Sequence, residues 1–209
     1  TLFRSMRLEV VIVKKKRVLK FIIIFLFLCC GIGYTSYKGY KKYEDKKNGI
    51  GETIDVFNGV EVYYNGSEYG NVHGKHYSKD GYYYGYEWQC GEFKKRYYYD
   101  YLGHEMPDGY GNAKDFFDDS IPQGEVNEKR GLIQYRNGDN VMPKVNDILI
   151  FNDTTYGHIA IISEVEDDYI EVIQQNMGTQ TRDKFELKKD GNNYYIGGHR
   201  TPAGWLRKE

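Results

Sequence analysis

The chain of 209 residues carries 29 Lys+Arg against 30 Asp+Glu, and its formal net charge of -1 hides an uneven distribution. Residues 1–50 hold 12 Lys/Arg and 3 Asp/Glu, or +9, whereas residues 51–209 hold 17 and 27, or -10. The part large enough to fold is acidic and would repel phosphates, which argues against a nucleic-acid binder. The 22 Tyr and 10 Phe of the chain argue against disorder, and three Cys are too few for a disulfide-stapled miniature scaffold.

The first 20 residues include Arg4, Arg7, Lys14, Lys15, Lys16, Arg17 and Lys20, and an uncharged run from Phe21 to Gly33 follows. Cations ahead of an apolar run mark an export signal or a signal anchor. As a helix the run is about 20 Å long, short against a hydrocarbon core of about 30 Å. Extension to Val18–Tyr34, with Lys20 snorkelling, gives a marginal span. Cleavage after Gly31-Ile32-Gly33 is the alternative, and bulky Leu26, Phe27 and Leu28 disfavour lipid attachment at Cys29 or Cys30. The preferred reading is an uncleaved anchor in the cytoplasmic membrane, single-pass, with residues 1–17 inside and the C-terminal domain outside; a cleaved chain would be secreted. Thr1 is not an initiator, and Met6 offers another start. The expected organisation is a basic segment at 1–17, a transmembrane anchor or signal peptide at 18–34, a polar linker at 35–50 and a folded domain at 51–209.

Beyond residue 51, aromatic and polar residues alternate, with strands expected at Val60–Tyr64 and Tyr82–Tyr86. The period changes at 90–102, where Phe93, Tyr97 and Tyr101 recur every four residues and predict a helix, with Lys94 and Lys95 off its apolar face. A second short helix is expected at Asn112–Asp118. Four strands follow at Val145–Phe151, His158–Val165, Tyr169–Gln175 and Tyr194–Ile196. Helices first and an antiparallel sheet afterwards is an α+β order.

Cys29 and Cys30 sit in the apolar run, so Cys90 is the single thiol of the exported part. A buried small hydrophobe is the ordinary explanation of a free Cys. Here, however, the expected helix starts at or just after Cys90, and a helix N-terminus favours the thiolate. The amide of Gln89 beside it would serve as an oxyanion donor. Of the five histidines, His73 and His76 read as solvent-facing loop residues, and no Cys-x-x-Cys or His-Glu-x-x-His suggests a metal. His158 opens an apolar run behind Gly157 and pairs with Cys90 as base to nucleophile.

If Val165 pairs with Tyr169, opposite residues sum to 334, and His158 faces Asn176 with Gln174 on the diagonal. Gln174 and Asn176 then share the face of His158, and either amide oxygen would hold the second imidazole nitrogen. A slip of one residue would break this arrangement.

The stretches Gly85-Tyr86-Glu87-Trp88-Gln89-Cys90, Glu92-Phe93 with Arg96, Gly111-Asn112-Ala113, Pro143, Asp147-Ile148-Leu149, Gly157-His158-Ile159-Ala160-Ile161-Ile162, Gln175-Asn176 and Gly204-Trp205 follow one another in a familiar order. Over residues 55–207 the chain resembles the CHAP domain, the cysteine, histidine-dependent amidohydrolase/peptidase family, and within it the branch of the glutathionylspermidine amidase domain. The resemblance implies a papain-like fold, N-terminal helices on an antiparallel sheet, and hydrolysis through an acyl-enzyme with Cys90 as nucleophile and His158 as base. It implies no cofactor. Relatives often carry Glu where Gln174 stands, and a neutral amide stabilises an imidazolium less. Asn146 replaces a common Gly and tolerates a left-handed turn.

Together these readings give an exported cysteine amidase or endopeptidase. Its expected partners are a peptidoglycan peptide or small amide substrate and the membrane through the N-terminal segment, with no nucleic acid, the chain itself being a monomer. The alternatives are a polyamine-amide amidase, whose cationic substrate suits the acidic domain, and a binding module with a weakened Cys–His pair. The Tyr-rich stretches at 82–86 and 97–101 are read mainly as packing.

Overall fold

In the computed structural model residues 19–209 are described, and the first helix, α1 (Leu2–Asn48), enters from before them. The basic segment 1–17 lies outside the described residues. The chain divides into two compact units, one to Lys46 and one from Lys47 to Glu209.

Within the first unit, Leu19–Asn48 is long and apolar enough to cross a membrane, with a mean hydropathy of 2.0 over its most apolar window and none of that window buried. Across 35–50, the stretch expected as a polar linker, α1 stays helical to Asn48. Lys and Glu are good helix formers, and this stretch contains no proline. Tyr34 and Tyr37 each take a Lys ammonium four residues on, Lys38 at 4.9 Å and Lys41 at 4.7 Å.

The second unit begins with two hairpins, β1 (Thr53–Phe57) with β2 (Val60–Tyr63), and β3 (Lys75–Tyr77) with β4 (Tyr83–Tyr86). Helix α2 (Cys90–Asp100) follows, and the second expected helix is one 3-10 turn, Ala113–Phe116, closed by a capping box between Asn112 and Asp115. Eight strands complete the chain: β5 (Val126–Asn127), β6 (Leu132–Arg136), β7 (Ile148–Phe151), β8 (His158–Val165), β9 (Tyr169–Ile173), β10 (Arg182–Asp190), β11 (Asn193–Gly197) and β12 (Gly204–Arg207). They form one antiparallel sheet in the order β11-β10-β9-β8-β7-β12-β6-β5. The architecture is the α+β class expected.

Both faces of the central strands are covered, which explains their continuous apolar runs. Ile148, Ile150, Ile159 and Ile161 pack with Phe93, Tyr97 and Tyr98 of α2 and with Phe116. The alternate residues Leu149, Phe151, Ala160 and Ile162 pack with Phe185, Leu187, Ile196 and Trp205, where the curled sheet closes over itself. Tyr84, Tyr97 and Tyr98 are buried, as the packing reading of the tyrosines requires. Lys94 and Lys95, expected off the apolar face, are buried as well.

Candidate active site

The start of β8 is shaped by Gly157, whose φ of +73° is closed to most side chains. A Cβ there would lie 2.5 Å from the Lys114 nitrogen and 2.6 Å from the Phe151 oxygen. Absence of a side chain thus lets the chain turn tightly into the sheet and deliver His158, which is 6% exposed, to its first position.

The β8–β9 hairpin reaches the predicted pairing by an unexpected route. At its turn Val165 faces Ile170 and Glu164 faces Glu171, one residue off the expected register. A bulge between Ile162 and Glu164 removes the offset, so that Ile162 faces Val172 and Ile161 faces Ile173. Beyond the last pair, His158 Nε2 lies 2.9 Å from Gln174 Oε1. Gln174 Nε2 donates to the Gln180 carbonyl at 3.3 Å, which fixes the amide's orientation. The amide oxygen only accepts, so Nε2 of His158 carries the proton and the basic lone pair is on Nδ1. Asn176, the other candidate, does not hold His158. Its φ is +67°, its Nδ2 donates to the Tyr69 carbonyl (2.9 Å) and to Gln89 Oε1 (2.8 Å), and its Oδ1 accepts from Asn65 (2.6 Å).

Pairing between β8 and β9 ends at Ile161 and Ile173, and the start of α2 meets the opening. The Gln175 amide donates to the Gln89 carbonyl at 3.1 Å, and the backbone of Ile159 hydrogen-bonds the Cys90 sulfur. Cys90 and His158 therefore come to the same end of β8. Thiol and imidazole make no direct hydrogen bond among the described residues, and such bonds commonly tighten only with substrate bound. Cys90 keeps a partial opening to solvent. The amide of Gln89 is engaged elsewhere, donating to the carbonyls of Asn71 (2.6 Å) and Tyr69 (3.2 Å).

Burial governs the electrostatics. It pushes the Cys90 thiol above its ordinary range, against hydrogen bonds from Ile159 and Gly91 that favour the thiolate. The helix N-terminus alone predicts the opposite sign, and desolvation outweighs it. Burial also pulls His158 down to about 4, partly countered by Gln174. The resting pair is thiol and neutral imidazole. Beside it the Arg200 guanidinium grips Asp153 through two bonds of 2.8 and 2.5 Å.

One polar cluster carries no signature of burial in the sequence. Glu92, fully buried, accepts from Arg96 Nε (2.5 Å), His76 Nδ1 (2.8 Å) and Gln175 Nε2 (2.7 Å). These donors hold its carboxyl below the usual range although burial, the largest influence, opposes them. His76 is thus tied to the interior from β3, contrary to its reading as a solvent-facing loop residue, whereas His73 does lie in an exposed loop, with its Nε2 3.2 Å from the Asn65 carbonyl. The spacing of Glu92 and Arg96 (i, i+4) is the one signal that points to it. Asn146 has the expected positive φ, +76°, and caps Tyr97 and Tyr98 through its side-chain and backbone oxygens, both at 2.6 Å.

Among the described residues, no three or more His, Cys, Asp or Glu side chains are grouped to hold a metal ion. A cavity of about 500 Å³ lined by Tyr98, Asn146, Asp147 and Arg207 includes none of Gln89, Cys90, His158, Gln174 or Asn176.

Comparison with known proteins bears on the same stretch. Residues 81–176, from β4 through Asn176, match the CHAP domain family. The chain is also 28% identical over 116 residues to the trypanothione synthetase of Crithidia fasciculata, an alignment covering 52% of this chain and 18% of that protein.

Proposed function

We propose that this chain, whose residues 81–176 match the CHAP domain family, hydrolyses amide bonds through Cys90 and His158. The observation that carries this reading is the 2.9 Å bond from His158 Nε2–H to Gln174, which leaves Nδ1 as the base, at the strand end where Cys90 sits.

In the proposed reaction Nδ1 of His158 takes the Cys90 proton as the sulfur attacks the substrate carbonyl carbon. The bond to the amine then breaks as the imidazolium returns its proton to the leaving nitrogen, and an acyl-enzyme forms. Water, deprotonated by the same nitrogen, releases the acid and regenerates the thiol. The developing oxyanion would be met by backbone N–H groups at the start of α2, since no side chain caps that helix end. Gln89 and Asn176, engaged with each other, support the loop at Tyr69–Asn71 that borders the site.

The proposed target is peptidoglycan peptide, reached from the outer side of the cytoplasmic membrane with α1 as the anchor. The apolar stretch of Leu19–Asn48 and the cations before it support this placement. A polyamine amide is the second reading, favoured by the similarity to a trypanothione synthetase and by the acidity of residues 51–209.

Mass spectrometry of products from the full chain, offered purified sacculi or glutathionylspermidine, separates the readings. Muropeptide fragments support the first, free spermidine the second. Absence of both products would refute hydrolysis of either substrate.

A further inference from the structure

Lys94 stands one helical turn beyond Cys90 on α2, on the same side of the helix. It is only 1% exposed, and its Nζ has no hydrogen-bond partner among the described residues. The amine rests over the Phe116 ring, 3.1 Å from its centroid, and the Arg130 guanidinium lies over the same ring at 3.6 Å. A buried amine without an acceptor is strongly disfavoured as an ammonium. Accordingly burial, reinforced by Arg130 and Lys95, holds Lys94 well below the usual lysine range.

The groups facing this amine come from three places. Helix α2 contributes Cys90 and Lys95, the 3-10 turn contributes the Phe116 ring, and the segment ahead of β6 contributes Arg130. Lys95 and Arg130 are cations whose repulsion works against a further charge. Cys90 is the one of these groups that can become an anion, and its thiolate and the Lys94 ammonium stabilise one another. An apolar residue of the same length would pack there at less cost, so packing does not account for a lysine.

We propose that Lys94 is a positioning residue for Cys90, neutral while the thiol is protonated and an ammonium once the thiolate forms. As the Sγ proton passes to Nδ1 of His158, Nζ takes one from solvent at the open side of Cys90, so that thiolate and ammonium form together, a coupled titration of two buried groups. This role rests on Cys90 being the nucleophile of the reaction proposed above.

The test is the rate of Cys90 alkylation by iodoacetamide against pH, in the full chain, read by peptide mass spectrometry so that Cys29 and Cys30 are counted apart. In Lys94→Met the stability should equal or exceed that of the parent, because a buried amine without a partner has been removed. Alkylation near neutral pH should nevertheless slow about tenfold, which is the thiol midpoint rising by about one pH unit. Lys94→Leu provides a second apolar replacement with the same expectation. Superimposable alkylation profiles in the parent and a folded Lys94 variant would overturn the proposal. The measurement needs no substrate, so a chain that cleaves neither sacculi nor glutathionylspermidine can still show the effect, and a hydrolase can fail to show it.

Discussion

His158 and Gln174, sixteen residues apart, are joined by a 2.9 Å hydrogen bond that sets which imidazole nitrogen is basic. Burial, only partly countered by this neutral partner, brings His158 down to about 4. The acid limb of kcat/KM should therefore lie near pH 4. Gln174→Glu should raise it by about 1–3 pH units, since a carboxylate favours the imidazolium. That variant also sets a carboxylate oxygen against the Gln180 carbonyl and should lose some stability. Gln174→Ala should lower kcat by about tenfold through loss of the tautomer lock. Rate profiles of both variants check this, and an unmoved acid limb in Gln174→Glu would exclude His158 as the base.

Cys90→Ala should abolish turnover, a loss of about 10³-fold or more, because no other thiol lies in residues 47–209. The fold should change by about 1 kcal/mol or less, since one sulfur is removed from a partly open position. Product assays beside a denaturation curve separate the two effects. Residual hydrolysis at the parental rate would remove Cys90 from the mechanism.

Legibility in the sequence follows the kind of force at work. Strand β8 is readable from the sequence, because Ile159–Ile162 is an unbroken apolar run opened by Gly157 and His158. Strand β10 is not, because Arg182–Asp190 buries only Phe185 and Leu187 and otherwise presents charge. The link between His158 and Gln174 follows even from a turn taken one residue too short, because the bulge after Ile162 restores the count. A bulge leaves no mark that a period-two pattern can register. Lys94, Lys95, Glu92 and Arg96 are illegible for a different reason. Charged residues are normally solvated, and only tertiary partners such as His76, Gln175 and the Phe116 ring reveal that these are interior.

Acid sensitivity of the fold follows from the same histidine. In the unfolded chain His158 titrates near 6.5, and in the fold near 4, so the unfolded state binds more protons between these values. Stability contributed by the neutral ring is full above pH 6.5 and is lost as pH falls from 6.5 to 4, about 3 kcal/mol in all. Urea unfolding of the parent and His158→Gln at about pH 7 and about pH 4.5 measures it. The parent should lose more stability than the variant, and equal losses would show that His158 is not the cause.

Arg96→Met should destabilise by about 3–5 kcal/mol, because it leaves the Glu92 carboxylate buried with two neutral or weakly basic donors. Double replacement, Glu92→Gln with Arg96→Met, should recover part of that loss by removing the stranded charge. Chemical denaturation of the single and double variants gives the coupling. If the single variant were as stable as the parent, the cluster would not be a structural ion pair.

Two glycines with similar backbone angles should respond differently to alanine. At Gly59, φ is +81° and no atom lies within 4 Å of the place an alanine methyl would take, so Gly59→Ala meets only the strain of the left-handed conformation, about 1 kcal/mol. At Gly157, φ is +73° and the methyl would meet the Lys114 nitrogen and the Phe151 oxygen inside 3 Å, both backbone atoms that cannot swing aside. Gly157→Ala must shift the 3-10 turn or the start of β8, with an expected loss of about 2–4 kcal/mol. Because His158 is the next residue, kcat should fall as well, while Gly59→Ala should leave kcat unchanged. Denaturation midpoints and initial rates for the pair check this. Equal behaviour of the two variants would mean that the close approach at Gly157 does not position the imidazole.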